Sequence, residues 1–144
     1  MRDGFTLPEL VVAIALVAIL TGITVPALVT ATDRSAIRMG LAQLRGAHEE
    51  ARLAAVLADR TAVLTVTRDS LTLRTILGAD TVVNWKRVGP AGWGVELIGA
   101  GRSFRFSPLG YSIGVSNATL RLKKGSASGS LTISRLGRVR VAMQ

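Results

Sequence analysis

The stretch GFTLPELVVAIALVAILTGITVPALV, residues 4–29, decides the fold of the N-terminal part of this chain. After Glu9 it contains twenty consecutive residues without a charge, residues 10–29. As an α-helix rising about 1.5 Å per residue, such a run spans about 30 Å, the thickness of a bilayer's hydrocarbon core. A buried helix of a large protein has a similar composition, but a chain of 144 residues holds too little other protein to surround it. The run therefore predicts a membrane-compatible helix.

A secretory signal peptide is the main alternative interpretation of this run. Such a peptide needs a basic start, a shorter apolar stretch and a small-residue cleavage site. Arg2 is the only basic residue upstream and Asp3 offsets it, although Ala27 or Ala31 could mimic a cleavage site. The run is long for a signal peptide, and Glu9 is out of place in one. A carboxylate at the edge of the hydrocarbon region is costly and usually has a partner and a function.

The seven residues Gly4-Phe5-Thr6-Leu7-Pro8-Glu9-Leu10, followed by the apolar run, resemble the class III signal of type IV pilins and type II secretion pseudopilins. In that family a prepilin peptidase cleaves after the glycine and methylates the new N-terminal amine. The apolar helix holds the subunit in the bacterial inner membrane and later packs into a filament core. The resemblance therefore implies cleavage after Gly4, N-methylation of Phe5, and an assembly role for Glu9, which pairs in the family with a neighbouring subunit's amine. Pro8 stands where an aliphatic residue is commoner, and proline is tolerated in the first turn of a helix.

The charges that flank the helix favour the opposite orientation to the family's. Basic residues usually mark the cytoplasmic side of a membrane helix. Arg34, Arg38 and Arg45 follow the run, whereas Arg2 alone precedes it. The seven-residue signal is more specific than a difference of two charges, so we expect a single-pass protein with a periplasmic C-terminal domain. The alternative is an unrelated single-pass protein with a cytoplasmic basic domain, which would not be cleaved.

Residues 30–58 are expected to continue the helix as an amphipathic segment. Apolar residues recur there at intervals of three and four, which predicts a buried stripe. The stripe comprises Ile37, Leu41, Leu44, Ala47 or His48, Ala51 and Ala55. Arginines three and four residues from Glu49 also predict ion pairs on the helix surface. Thr32 or Asp33 could instead cap a separate helix.

From residue 59 the pattern changes to short strands separated by Gly, Ser, Pro or Asn, which predicts antiparallel sheet. The predicted strands are residues 61–67, 70–77, 80–88, 95–98, 103–107, 111–115, 118–124, 129–135 and 137–143. The tract KKGSASGS, residues 123–130, is predicted to be a flexible loop. The fold class is therefore α+β: a long N-terminal helix packed on antiparallel β-sheets, as in pilins. The expected organisation is a leader at 1–4, a transmembrane and filament-core helix at 5–29, its amphipathic continuation at 30–58 and a β-rich domain at 59–144.

Short motifs in the second half also resemble the FimT/GspH-type minor pseudopilins of this family. They are WKRV at 85–88, GWGV at 92–95, FSPLG at 106–110, LTIS at 131–134 and GRVRV at 137–141. Each is common by itself, but their order and spacing behind the class III signal strengthen the resemblance, which covers nearly the whole chain. It implies a structural subunit of a type IV pilus or a type II secretion pseudopilus, with other pilins as partners.

Basic residues dominate the last third of the chain. The chain has 18 basic and 9 acidic residues, and from residue 97 onward eight are basic and none is acidic. A solubility role explains such a surface, and binding of a polyanion such as DNA is the alternative. The candidate DNA-contacting residues are Arg121, Lys123, Lys124, Arg135, Arg138 and Arg140. In FimT-like members a closing Gly-Arg-x-Arg element is associated with DNA uptake in natural transformation, while GspH-like secretion members carry similar closing residues. Trp85, Trp93 and Tyr111 are expected to pack in the core or in turns rather than to stack on bases.

Features of an enzyme are not found in the sequence. There is no cysteine, so a thiol nucleophile and a disulfide are both excluded. The glycine-rich tract at 89–94 lacks the lysine and hydroxyl residue of a phosphate loop. His48 is the only histidine, and without an evident second ligand it is expected to be an ordinary helix-surface residue. We therefore predict no enzymatic activity, no metal site and no cofactor, and expect the chain to be the substrate of a peptidase.

Overall fold

The computed structural model describes residues 6–114, 117–134 and 137–143. The chain divides into two compact units, Met1–Thr32 and Asp33–Gln144. One helix, α1 (Leu7–Ala58), contributes residues to both units. The long N-terminal helix predicted from the sequence is confirmed, and it ends at the expected residue. The alternative of a separate helix starting at Thr32 or Asp33 is wrong, because both residues lie inside α1.

The first unit contains the apolar part of α1. An 18-residue window of this helix has a mean hydropathy of 2.5, and none of it is buried within the protein. The hydroxyl groups of Thr21, Thr24 and Thr30 each donate a hydrogen bond to the carbonyl four residues earlier, at 2.7–3.0 Å. A helix in lipid must satisfy its polar groups internally. These threonines therefore fit an apolar environment despite their hydroxyl groups.

The second unit contains nine strands among the described residues, arranged in two antiparallel sheets. They are β1 (Ala62–Val66), β2 (Ser70–Leu77), β3 (Asp80–Val88), β4 (Glu96–Ile98), β5 (Arg102–Phe106), β6 (Ser112–Ile113), β7 (Ala118–Lys124), β8 (Ala127–Ile133) and β9 (Val139–Met143). A short 3₁₀ helix, Pro90–Trp93, lies between β3 and β4 in the chain. The first sheet has the order β3-β2-β1-β5-β6 and the second the order β4-β7-β8-β9. Every predicted strand is represented, and of the strand expected at 111–115 the described residues form strand at Ser112–Ile113.

The loop predicted at 123–130 is wrong, because most of this tract is strand. β7 ends at Lys124 and β8 begins at Ala127, so only Gly125 and Ser126 form the turn. Buried Ala127 and Gly129 alternate with half-buried serines along β8. Small residues are typical of loops, but here they let α1 approach the sheet closely. A Cβ on Gly129 would lie 2.8 Å from Leu41 Cδ1, too close for a relaxed contact.

The core lies between α1 and the inner faces of the sheets. The predicted stripe of α1 is confirmed, and both alternatives within it, Ala47 and His48, are buried. Leu64, Phe104 and Phe106 supply the largest buried side chains from the middle of the first sheet. The largest buried side chains of the second sheet are those of Leu120, Leu122, Leu131 and Ile133. Burial of this apolar surface holds the second half of α1 on the sheets.

A polar contact joins α1 to β3 at the edge of the first sheet. Arg87 Nη1 lies 2.9 Å from Glu50 Oε1, the only pair of opposite charges within 4.0 Å in the described part of the chain. The predicted pairs of Glu49 with Arg45 and Arg52 are therefore wrong. An exposed pair gains little Coulomb energy in water and loses side-chain entropy, so helix spacing alone does not ensure contact.

Candidate functional site

At the N-terminal end of α1, the Glu9 carboxylate accepts two hydrogen bonds from Thr6. Glu9 Oε2 lies 3.4 Å from both the backbone nitrogen and the hydroxyl oxygen of Thr6, and both Thr6 groups donate to it. A threonine followed three residues later by a glutamate at the start of a helix has the spacing of a capping box, and here Glu9 makes the contact to the backbone N–H of the threonine. The family resemblance implied only an assembly role for Glu9, although the Thr-x-x-Glu spacing in the sequence also indicates this second role. Gly4 and Phe5, the predicted cleavage and methylation residues, lie outside the described residues.

The outer face of the second sheet carries most of the predicted DNA-contacting residues. On β7, Arg121 and Lys123 are exposed and alternate with buried leucines, as the sequence pattern predicted. On the far side of β8, Arg140 is exposed and pairs in register with Thr132. Arg138 is exposed just before β9, and its backbone N–H donates to Ser134 Oγ at 3.1 Å. The sheet therefore brings the two basic segments to one face, on either side of β8.

The strand between these basic segments presents only small hydroxyl side chains to the outer face. They are Ser128, Ser130 and Thr132, and all three are half-buried. Each lies opposite a residue of β7: Ser128 opposite Lys123, Ser130 opposite Arg121 and Thr132 opposite Thr119. Neighbouring strands are about 4.8 Å apart, so the basic residues of β7 and β9 flank a trough roughly 10 Å wide. The trough was not predicted from the sequence, because the small residues at the start of β8 are typical of a loop.

One of the predicted DNA-contacting residues, Lys124, does not lie on this outer face. Lys124 is half-buried, and its Nζ donates to the carbonyl of Trp93 at 3.4 Å. Because side chains alternate along a strand, Lys124 points to the opposite side of β7 from Lys123. Arg135 lies outside the described residues. On the neighbouring strand β4, Glu96 pairs in register with Lys123 and brings one negative charge to that end of the trough.

The aromatic residues outside the core vary in exposure. The ring of half-buried Trp85 is covered by the guanidinium of Arg87, whose Cζ lies 4.2 Å from the ring centroid. The predicted packing role is therefore confirmed for Trp85. Trp93 and Tyr111 are 44% and 65% exposed. These two residues are less buried than the sequence analysis expected.

His48 is buried, so its predicted position on the helix surface is wrong. It is 1% exposed and its ring packs edge-on against Phe104 and Phe106 of β5. It shares the inner face of α1 with the apolar stripe, and the sequence pattern had left Ala47 or His48 as alternatives for that face. In the described part of the chain, no group of three or more His, Asp or Glu side chains could hold a metal ion.

Residues 1–25 match the family described as the prokaryotic N-terminal methylation motif. This motif and an exposed apolar helix that continues onto two antiparallel sheets define a pilin-like protein. The fold is similar to that of the type IV minor pilin FimU from Pseudomonas aeruginosa strain PAO1 in two crystal forms. In space group P21 the TM-score is 0.61 with 18% identity, covering 75% of this chain and 89% of FimU. In space group P65 the TM-score is 0.57 with 17% identity, and the match covers 72% of this chain and 90% of FimU. No curated protein matches the chain in sequence.

The comparisons confirm the predicted pilin-like identity and fold. They do not distinguish a pilus from a secretion pseudopilus, and at these identities the likeness to FimU concerns the fold. The motif and the exposed apolar helix are consistent with membrane anchoring. The roles of the individual site residues remain predictions.

Proposed function

We propose that this chain is a minor pilin or pseudopilin, a structural subunit of a type IV pilus or of a type II secretion pseudopilus. The observation that carries the proposal is the methylation motif at residues 1–25, which runs into an exposed apolar helix with a single carboxylate in its first turn. An apolar surface of this length needs lipid or neighbouring helices to cover it. A subunit that waits in the inner membrane and then joins a filament provides both environments in turn.

In this proposal the N-terminal residues have the family's roles. Prepilin peptidase cleaves between Gly4 and Phe5 and methylates the Phe5 amine, and the β-rich unit faces the periplasm. Glu9 then exchanges its capping contacts with Thr6 for the N-terminal amine of a neighbouring subunit. A carboxylate close to hydrocarbon is stabilised by such a charge partner. Other pilins or pseudopilins are thus the principal partners.

N-terminal sequencing of the membrane-extracted chain tests the processing step. After coexpression with prepilin peptidase, we expect the mature chain to begin at methylated Phe5. Without the peptidase, the chain should begin at Met1. A chain that keeps Met1 in the presence of an active peptidase contradicts the proposal.

Two substitutions separate the assembly role of Glu9 from its capping role. Glu9→Gln removes the charge but keeps a side-chain oxygen that can accept from Thr6, whereas Thr6→Ala removes the hydroxyl contact and keeps the charge. We expect Glu9→Gln to block incorporation into filaments and Thr6→Ala to reduce it much less. Equal incorporation of Glu9→Gln and the unmodified chain would rule out the assembly role. The measurement is the ratio of filament to membrane fractions.

We propose DNA binding during uptake for natural transformation as a second function, compatible with the first. The observation that favours it is the hydroxyl-lined trough on β8 between the basic residues of β7 and β9. Arginine forks and hydroxyl groups both bind phosphate oxygens, and such contacts carry no base specificity. Arg138 directly precedes β9 and Arg140 lies in it, so on extended backbone the two arginines are about 7 Å apart and can engage successive phosphates.

Fluorescence anisotropy of labelled duplex DNA with the full-length chain in nonionic detergent tests this second function. Affinity should fall steeply with salt, and Arg138→Gln with Arg140→Gln should lower the log–log salt slope by about 2. The matched control is Arg74→Gln with Arg105→Gln, which removes two exposed arginines from the first sheet. Absence of binding at low salt, or equal losses in both variants, would contradict DNA binding in the trough. Either result leaves the filament proposal intact.

A further inference from the structure

A groove lies between α1 and β9, on the opposite side of the second sheet from the trough. It has a volume of about 210 Å³ and is lined by Arg38, Leu41, Ala42, Arg45, Val141 and Met143. Val141 pairs in register with Leu131, which is fully buried, yet Val141 is 45% exposed. The apolar inner face of the sheet therefore continues onto β9, where the rest of the protein covers it only in part.

The outer edge of β9 has free backbone groups. β9 is the last strand of its sheet and pairs only with β8 in the described part of the chain. The N–H of Ser134 donates to the carbonyl of Arg138 at 2.9 Å, which marks this as a hydrogen-bonded pair. Along an antiparallel ladder, such pairs alternate with non-hydrogen-bonded pairs, whose N–H and C=O groups point away from the partner strand. Val139, Val141 and Met143 therefore direct their N–H and C=O groups toward the free edge, ready to bond an added strand.

The charged side chains that line the groove indicate which kind of segment can bind there. Arg38 and Arg45 are both exposed and lie two helical turns apart, about 10 Å, with the small side chain of Ala42 between them. The groove is not lined by an acidic residue. Alternate residues on one face of a strand are about 7 Å apart. A strand along β9 can therefore set one apolar side chain over Ala42 and a carboxylate toward each arginine.

A second copy of this chain fits the groove poorly. The chain has a formal net charge of +9, and β9 itself carries Arg140. Charged side chains on an edge strand also hinder its pairing with an identical edge. The charge complementarity therefore points to an acidic partner rather than to self-association.

We propose that the α1–β9 groove binds an extended acidic segment of another protein, which adds to the second sheet as a strand beside β9. The segment has an apolar residue flanked by carboxylates on the side that faces α1. Its backbone bonds to Val139, Val141 and Met143, and its carboxylates pair with Arg38 and Arg45. The proposal does not depend on filament assembly or on DNA binding.

The test uses the full-length chain in nonionic detergent and a seven-residue peptide with glutamate at its second and sixth positions, leucine at the fourth and threonine elsewhere. We expect the peptide to bind and to slow amide hydrogen exchange at Val139, Val141 and Met143 several-fold. A peptide of the same composition with glutamate at the third and fifth positions puts its carboxylates on the opposite face from the leucine. It should bind more weakly.

Substitutions of the two groove arginines test the charge recognition. Arg38→Gln with Arg45→Gln should weaken peptide binding roughly three- to thirty-fold, as loss of two exposed ion pairs does. Arg60→Gln with Arg68→Gln removes two exposed charges elsewhere and should leave binding unchanged. Binding without exchange protection on β9, or equal binding of both peptides, overturns the proposal. It is also overturned if the chain self-associates and the groove variant abolishes this, because the occupant is then a second copy.

Discussion

His48 on α1 packs edge-on against Phe106 on β5, with the ring centroids 5.0 Å apart and the planes at 81°. Neither imidazole nitrogen has a hydrogen-bond partner, and the residue is 1% exposed. Burial lowers the pKa of His48 below its ordinary value of 6.5, while Glu49 raises it and Arg52 lowers it by smaller amounts. The packing of α1 on the first sheet therefore favours the neutral form of this histidine.

This contact predicts that acid destabilises the second unit. Because the pKa is lower in the folded state than in the unfolded state, the unfolded chain takes up a proton first as the pH falls below 6.5. The stability present above that pH should fall by up to about 1.4 kcal/mol per pH unit for this one group. Urea unfolding of the full-length chain in detergent, followed by tryptophan fluorescence between pH 7.5 and 5, measures the slope.

His48→Leu provides the control for the pH dependence. His48 is the only histidine, so the variant should lose most of the slope between pH 7 and 5. It should also be at least as stable as the unmodified chain at neutral pH, because two buried nitrogens without partners are removed. An unchanged slope in the variant would show that His48 is not the group that titrates.

The pair between Glu50 and Arg87 should contribute modestly to stability. Both side chains are close to half exposed, and such pairs contribute about 0.2–1 kcal/mol. A double-mutant cycle with Glu50→Gln and Arg87→Gln should give a coupling free energy in this range, smaller at high salt. The same cycle with Glu49→Gln in place of Glu50→Gln should give no coupling. Coupling above about 2 kcal/mol would contradict the assignment of an exposed pair.

Alanine substitutions at two glycines should change the stability of the second unit in opposite directions. A Cβ on Gly129 would meet Leu41 Cδ1 at 2.8 Å and Ile37 Cγ2 at 2.9 Å, whereas one on Gly46 would meet nothing within 4 Å. Gly129→Ala should therefore destabilise the second unit by about 1–3 kcal/mol through overpacking. Gly46→Ala should stabilise it by about 0.5–1 kcal/mol, because Gly46 lies inside α1. Urea midpoints measure both, and a destabilising Gly46→Ala would contradict the open space beside that residue.

The bulge in β3 should depend on one partly buried hydrogen bond. Thr75 Oγ1 donates to Asn84 Oδ1 at 2.7 Å, and Asn84 is the residue left out of the β2–β3 register. Asn84→Ala should cost about 1–3 kcal/mol because it leaves the buried Thr75 hydroxyl without its partner. Adding Thr75→Val should recover most of that loss. If the double variant is no more stable than Asn84→Ala, this bond does not hold the bulge.

Local sequence patterns predicted most of the individual elements. A run of twenty uncharged residues predicts an apolar helix, and the stripe in α1 predicts which of its faces is buried. The bounds of β2, β3 and β7 also follow from alternation between turn residues. Local composition was ambiguous at β8, where Gly129 and its neighbouring serines fell within the predicted loop at 123–130 while the predicted strand began only at residue 129. Their size is explained only by α1, which approaches from a distant part of the sequence.

The sequence by itself determined the N-terminal motif, the long helix and the alternation of the strands, because each depends on residues close together in the chain. Only the tertiary structure decided which strands share a sheet, and hence that the basic residues of β7 and β9 flank one trough. It also buried His48 and paired Glu50 with Arg87, a contact between residues 37 positions apart. Periodicity defines the faces of a helix or strand, but what covers each face depends on packing between distant segments.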